Sequence, residues 1–292
     1  MLVFLFRLIA RLPLVWVHRL GALVGWLAWY GSGRHRQVLR ENLTGAVGEA
    51  RARELLPEAI VACGQQILEL AWVWQRPLDE VLAKIVRVEG EQYIRDAQAA
   101  GRSILVLTPH FGCFDLNSLW WGTHIGPCTV LYRPPRIPAL EPFLIAGRER
   151  GQARIAAANA SGVRLLVRAL RKGEVAGILP DQTPKSGDGV WASFFGRPAW
   201  TMTLAARLSE VRNVAVLMMR AERLPHGAGY VIHIRPPAQP VQGDLAARAQ
   251  AINHAIEAEI LTCPAQYLWA YPRYKVPGEA APLPPEFSTP AK

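Results

Sequence analysis

Apolar residues crowd the first thirty positions too densely for a one-faced surface helix, yet they are too interrupted for a clean bilayer span. The stretch from Leu20 to Gly33 carries no charge, but it is shorter than the roughly 20 residues that a span requires. Extending it back to Leu12 gives enough length only by including Pro13, His18 and Arg19. No acidic residue occurs from Met1 to Arg40, whereas Arg7, Arg11, Arg19, Arg34, Arg36 and Arg40 are basic. The pattern predicts an apolar helix within residues 1–33 that lies in, or dips into, a membrane interface. Trp16, Trp26, Trp29 and Tyr30 would sit at headgroup depth. A buried core helix is the competing reading, and so many arginines without an acid among them argue against it. No small-x-small site follows a compact apolar region, so a cleavable signal is not expected.

Further along, the periodicity becomes regular. Residues 49–75 read as a helix with Leu55, Ile60, Ile67, Leu68 and Leu70 on one stripe. A short strand is expected at 87–89 and a helix at 93–100, ended by Gly101. Strands at 103–108, 128–132 and 175–180 then alternate with helices near 114–122, 139–150 and 161–172. A strand pair near 214–221 and 229–235 is joined by a Pro/Gly-containing turn, and a helix covers 245–262. Short apolar strands alternating with helices predict an α/β fold, a mixed but mainly parallel central sheet flanked by helices. Residues 34–276 read as one domain. The segment 277–292, rich in Pro, Ala and Glu, is expected to be a disordered tail.

Composition narrows the partners. The chain of 292 residues has a net charge of +10 and ten tryptophans, which favours an anionic partner: lipid, an acidic protein or nucleic acid. Four scattered cysteines without a CxxC pair predict a reducing compartment, no disulfide framework and no structural metal. Nucleophile elbows, phosphate loops, dinucleotide fingerprints and zinc-protease motifs are all missing from the sequence.

The most informative chemistry is His110-Phe111-Gly112-Cys113-Phe114-Asp115, just after the apolar run 104–107. Positions five apart do not share a helical face, so the pair can meet only across a turn, with His110 in it and Asp115 opening the next helix. Pro109 and Gly112 supply that turn. A carboxylate holding one imidazole nitrogen would free the other to take a hydroxyl proton. Cys113 is the alternative nucleophile, although a cysteine flanked by apolar residues is more often packing. Three polar clusters follow at turns: Tyr132-Arg133-Pro134, Arg148-Glu149-Arg150 and Asp181-Gln182-Thr183. Loops at the carboxyl edge of a sheet would gather them into a site.

His110-x4-Asp115, Tyr132-Arg133-Pro134, Asp181-Gln182, Phe194-Phe195-Gly196 and Trp269-Ala270-Tyr271-Pro272-Arg273-Tyr274-Lys275 together resemble the lipid A late acyltransferases, a branch of the glycerolipid acyltransferases. Residues 36–43 also match the pattern that follows the family's membrane segment, so the resemblance spans most of the chain. Many members carry Glu where this chain has Asp115. The resemblance implies a glycerolipid acyltransferase-like fold. It also implies transfer of a fatty acyl chain from acyl carrier protein to a hydroxyl of a lipid A precursor, at the cytoplasmic face of the inner membrane, with no metal or organic cofactor. Partners would be the carrier protein, the anionic lipid substrate and the membrane, not nucleic acid. Another glycolipid or lysophospholipid acceptor, or acyl-CoA as donor, is the alternative within the branch; a nonenzymatic basic binding protein is the alternative outside it. His110 is expected as base with Asp115 orienting it. Arg133 and Arg148 are expected at the oxyanion or a substrate phosphate, Arg133 because it ends a strand expected beside that of His110. Gly112, Asp181 and Gln182 would shape the site, and Phe114, Trp120 and Trp121 are candidates to line an acyl tunnel.

Overall fold

The computed structural model describes residues 2–135, 137–184 and 188–287. Pro13 breaks the N-terminal apolar region into α1 (Leu2–Ala10) and α2 (Leu14–Gly31), and Ser32 caps α3 (Gly33–Val47) by accepting from His35 N–H. Next come α4 (Glu49–Gln75), α5 (Leu78–Leu82), β1 (Ile85–Glu89), α6 (Glu91–Ala99) and β2 (Ser103–Leu107). The middle of the chain supplies α7 (Asp115–His124), β3 (Cys128–Tyr132), α8 (Glu141–Arg148), β4 (Ala153–Ala157), α9 (Ala160–Arg171) and β5 (Val175–Ile178). The remainder forms β6 (Gly189–Phe194), β7 (Arg197–Met202), α10 (Leu204–Leu208), β8 (Val214–Arg223), β9 (Tyr230–Arg235) and α11 (Leu245–Thr262).

Seven strands form the central sheet in the order β1-β9-β8-β2-β5-β3-β4. All neighbours are parallel except the β8–β9 hairpin. β2 and β5 are buried throughout, as expected of central strands covered on both faces. The α/β architecture is therefore the expected one, with elements that the pattern did not predict: α3, β4, the β6–β7 hairpin and the short helices α5 and α10. The Ala-rich β4 has little strand propensity of its own and pairs at the sheet edge with β3. β6 and β7 make a separate hairpin whose two-residue turn, Phe195-Gly196, has positive φ at both positions (48° and 70°), the geometry that matches strand twist. The polar composition of α3 masked it.

The N-terminal region departs from a simple span. Among the described residues no helix is long and apolar enough to cross a membrane. Along α2, Trp16, Leu20, Leu23, Leu27 and Tyr30 are exposed, spaced alternately by four and three as one helical stripe. The opposite side is pressed onto α4: a Cβ on Gly25 would lie 2.1 Å from Ile60 O, and one on Gly64 would lie 2.1 Å from Gly21 O. α1 continues the exposed apolar surface with Phe4, Leu5 and Leu8, and Phe6 packs edge-on against Phe143 of α8. Of the stripe predicted on α4, Ile60 is buried and Leu55, Leu68 and Leu70 pack partly buried against the core, and Ile67 alone departs from it. Ile67 is exposed while Gln66 and Glu69 are buried, because that face of α4 packs against polar groups of the interior. Downstream of residue 276, Trp191 Nε1 donates to Ala281 O at 2.8 Å, and residues 288–292 of the expected tail lie outside the described residues.

Candidate active site

β2 ends at Leu107, and the chain turns through 108–114 before α7 begins. Gly112 makes this turn possible. Its φ is +51°, and a Cβ there would meet Ala221 O at 2.0 Å, so both conformation and space require glycine. The turn swings the His110 ring towards the end of β5, the strand hydrogen-bonded to β2. There His110 Nδ1 lies 2.7 Å from Asp181 Oδ1, and His110 backbone N–H donates to Asp181 Oδ2 at 3.0 Å. Burial alone would push the Asp181 carboxyl up, but the adjacent His110 charge and these hydrogen bonds overcome it and hold the carboxyl below its usual range. An ionised Asp181 can accept from Nδ1–H, an arrangement that leaves the Nε2 lone pair free to accept a proton. Phe114 packs edge-on against the imidazole, with centroids 5.0 Å apart, and Gln182 Nε2 sits 3.2 Å from His110 Nε2.

The expected His110–Asp115 pair is thus corrected. Among the described residues no ion pair joins the two. Asp115 opens α7 as expected, but its carboxylate faces α4 and α8, where Arg148 Nη2 is 2.8 Å from Oδ1 and Trp74 Nε1 donates to Oδ2 at 2.6 Å. The Arg148 guanidinium also lies 5.4 Å from the centre of the Trp74 ring. Arg148 is therefore held by Asp115 through Nε and Nη2 while it lines the cavity wall. The expected position of Arg133 also changes: β5, not β3, adjoins β2, so Arg133 ends a strand two places away. It remains exposed and lines the mouth of the cavity; among the described residues no carboxylate pairs with it.

A cavity of about 350 Å³ opens at His110 and runs down between the sheet and α7. Register places its walls in layers. Thr108, Leu179 and Tyr132 lie at the mouth, Val106, Gly177 and Val130 in the middle, and Val175 and Cys128 at the floor. Arg133, Arg148, Gln182 and His110 make the mouth polar, and Asp115, Asn117 and Ser118 of α7 also line the wall of a mostly apolar cavity. Trp121 and Phe114 line the cavity as anticipated for a tunnel, whereas Trp120 is buried in the core outside the lining. Burial pushes the Cys113 thiol well above its ordinary value and that of Cys128 up to about 12, so both are packing groups, not nucleophiles. Among the described residues, no three His, Cys, Asp or Glu side chains gather as a metal-ligand set.

The sequence singled out Asp181 only as a shaping residue. Its link to His110 spans 71 positions, and the available signal was positional: Asp181 follows a strand expected in the same sheet, at the same edge. Gly177 and Trp74 carried no signal at all.

The chain matches the family model described as bacterial lipid A biosynthesis acyltransferase over residues 1–276. It is 28% identical over 282 residues to a lipid A biosynthesis lauroyltransferase of Escherichia coli (strain K12), covering 94% of this chain and 90% of that protein. A lipid A biosynthesis palmitoleoyltransferase of the same organism is 29% identical over 262 residues, with 88% and 84% covered. A lipid A biosynthesis acyltransferase of Haemophilus influenzae is 27% identical over 180 residues, with 62% and 56% covered. The extent of the family match, across the cavity and every residue that holds His110, means that this chain belongs to the bacterial lipid A biosynthesis acyltransferase family.

Proposed function

We propose that the protein transfers a fatty acyl group from the thioester of acyl carrier protein to a hydroxyl of a lipid A precursor, at the cytoplasmic face of the inner membrane. The observation that carries this reading is a histidine whose Nδ1 is held by a buried carboxylate at the polar mouth of a mostly apolar cavity. The cavity takes the acyl chain, and His110 Nε2 faces the acceptor hydroxyl. Gln182 leaves Nε2 as the hydroxyl arrives. Nε2 takes the hydroxyl proton as the oxygen attacks the thioester carbonyl. Asp181 stabilises the resulting imidazolium, as the carboxylate of a catalytic triad does. The developing oxyanion meets Arg133 and the Gln182 amide. Collapse of the tetrahedral adduct expels the carrier thiolate, which receives the proton back from the imidazolium, leaving an ester and a free thiol.

Two surface features support the partners. A net charge of +10 steers an acidic carrier protein towards the enzyme. The exposed apolar faces of α1 and α2 suit one leaflet of a bilayer, and α1 packs on α8 beside the cavity mouth, which brings a lipid acceptor to His110. Purified protein supplied with acyl carrier protein or coenzyme A carrying the same labelled chain, and with lipid A precursor, other glycolipids or a lysophospholipid as acceptor, tests the reading. Transfer only from coenzyme A, or only to a lysophospholipid, would overturn it.

A further inference from the structure

The hydrogen bonds that fix the catalytic turn lead away from the cavity to the N-terminal helix. Gln66 of α4 donates through Nε2 to the carbonyls of both His110 and Gly112, each at 3.3 Å. From the other side, Leu268 N–H donates to His110 O at 3.1 Å, and Gly112 N–H donates to Gln266 O at 3.0 Å. The Gln266 amide is itself laddered on Arg223, accepting from its N–H and donating to its carbonyl, both at 2.8 Å. The Arg223 side chain then turns inward to Glu69, with Nε at 2.6 Å and Nη2 at 2.5 Å. Glu69, one turn along α4 from Gln66, also accepts from Tyr230 OH at 2.9 Å and is met by His18 Nε2 of α2 at 2.7 Å. His18 is held a second time, its carbonyl accepting from Gln65 Nε2 at 3.3 Å.

His18, Glu69, Arg223 and Tyr230 are all buried, and none of them lines the cavity. An ion pair in this position is poor evidence for stability, because well-packed apolar side chains of the same volume often serve as well. What the charges supply is direction, a fixed distance between α2, α4 and the turn. We propose that Gln66, Glu69 and Arg223 are positioning residues for His110, forming a bracket that holds the backbone of the catalytic turn, and that His18 sets α2 in register on the same bracket. This rests on His110 acting as the base. Asp181 fixes the ring from the β5 side and the bracket fixes the backbone from the α4 side. Loss of either support lets Nε2 drift from the hydroxyl.

The test uses the full-length protein with Gln66→Leu, His18→Leu and His18→Gln, the last keeping an amide donor for Glu69. Steady-state transfer is measured well below each variant's melting temperature, and the imidazole 15N resonances of His110 are recorded, assigned by their loss in His110→Ala. Gln66→Leu and His18→Leu should lower kcat by about tenfold or more with KM for both substrates unchanged, since misplacing a reacting group by about 1 Å can cost on the order of 10²-fold. The His110 resonances should move in both, and His18→Gln should restore rate and resonances. Wild-type kcat and an unmoved His110 signal in the leucine variants would overturn the inference, as would His18→Gln behaving like His18→Leu. If Gln66→Leu does not fold, the His18 pair decides alone. A wild-type enzyme that moves no acyl group would instead refute the acyl-transfer reading, and the resonances would still report whether the bracket holds the ring.

Discussion

Replacing Gly177 with valine would raise the floor of the cavity. Gly177 lies in β5 in the middle layer of the wall, and the nearest neighbours of an added Cβ are atoms of Val130, with Cγ2 at 3.1 Å. The new side chain would therefore project across the cavity and separate the mouth from Val175 and Cys128. Layers two residues apart on a strand are separated by about 6.6 Å, at ~3.3 Å per residue. An extended hydrocarbon advances about 1.25 Å per carbon for bonds of about 1.5 Å, so the blocked layer corresponds to roughly five methylenes. At about 0.8 kcal/mol per buried methylene, the longest chain accepted by the wild type would lose about 4 kcal/mol against one five carbons shorter, close to 10³-fold in relative kcat/KM. Competition among carrier-bound chains of different lengths, read by mass spectrometry of the product, measures this ratio directly. Overpacking against Val130 would cost about 1–3 kcal/mol of stability, so melting is followed in parallel and Gly177→Ala serves as a milder step in the same direction. Equal loss on every chain length, or an unchanged preference in a folded variant, would refute the layered cavity as the acyl site.

Asp181→Asn should lower kcat by about 10²–10⁴-fold, because an amide cannot hold the tautomer or stabilise the imidazolium. Asp115→Asn should mainly cost stability, about 1–3 kcal/mol by urea unfolding, and equal catalytic defects in the two folded variants would undo the reassignment. Burial opposes ionisation of Glu69, but Arg223 and His18 overcome it and hold the carboxyl near 2 instead of 4.5. The folded state thus keeps Glu69 ionised where the unfolded chain protonates it, so the stability it contributes is present above pH 4.5 and fades as pH falls towards 2. The gap in urea midpoint between wild type and Glu69→Gln should therefore narrow across that window, and a constant gap would contradict the assignment. Leu23→Asp with Leu27→Asp should release the protein from anionic vesicles with its helical content intact. Salt alone should leave the wild type bound, because apolar burial is not screened by ions; release by salt would make the attachment electrostatic.

The sheet was legible because its strands are continuous apolar runs between turn signals, and β2 and β5 fall close to where the pattern sets them. β4 was not, since Ala-Arg-Ile-Ala-Ala acquires strand conformation from its pairing with β3 and not from its own residues. At the site, sequence order misled in one respect. Proximity along the chain favoured Asp115 as the partner of His110, whereas the parallel sheet brings in Asp181 from the end of the adjoining strand. Local spacing cannot encode a contact that depends on strand order, and the order β2-β5-β3 is set by packing across the whole domain. The buried polar residues of α4 were hidden for a related reason. Gln66 and Glu69 interrupt an apolar helix, and only the turn and Arg223 on the far side explain them.

Gly21 and Gly25 of α2 stand four positions apart in an apolar helix, the spacing through which membrane helices commonly self-associate. In this protein the seam is already occupied from within the same chain, since Gly64 and Ile60 of α4 meet it at backbone distance. The intact chain therefore has no such seam to offer a second copy, and a dimer built through it would first have to strip α2 from α4. A peptide of residues 14–31 released from the protein would recover the seam and pair with itself in detergent micelles. A motif that in isolation signals oligomerisation serves here as an internal joint, and fusions or truncations that free α2 would turn a monomeric contact into an adhesive one.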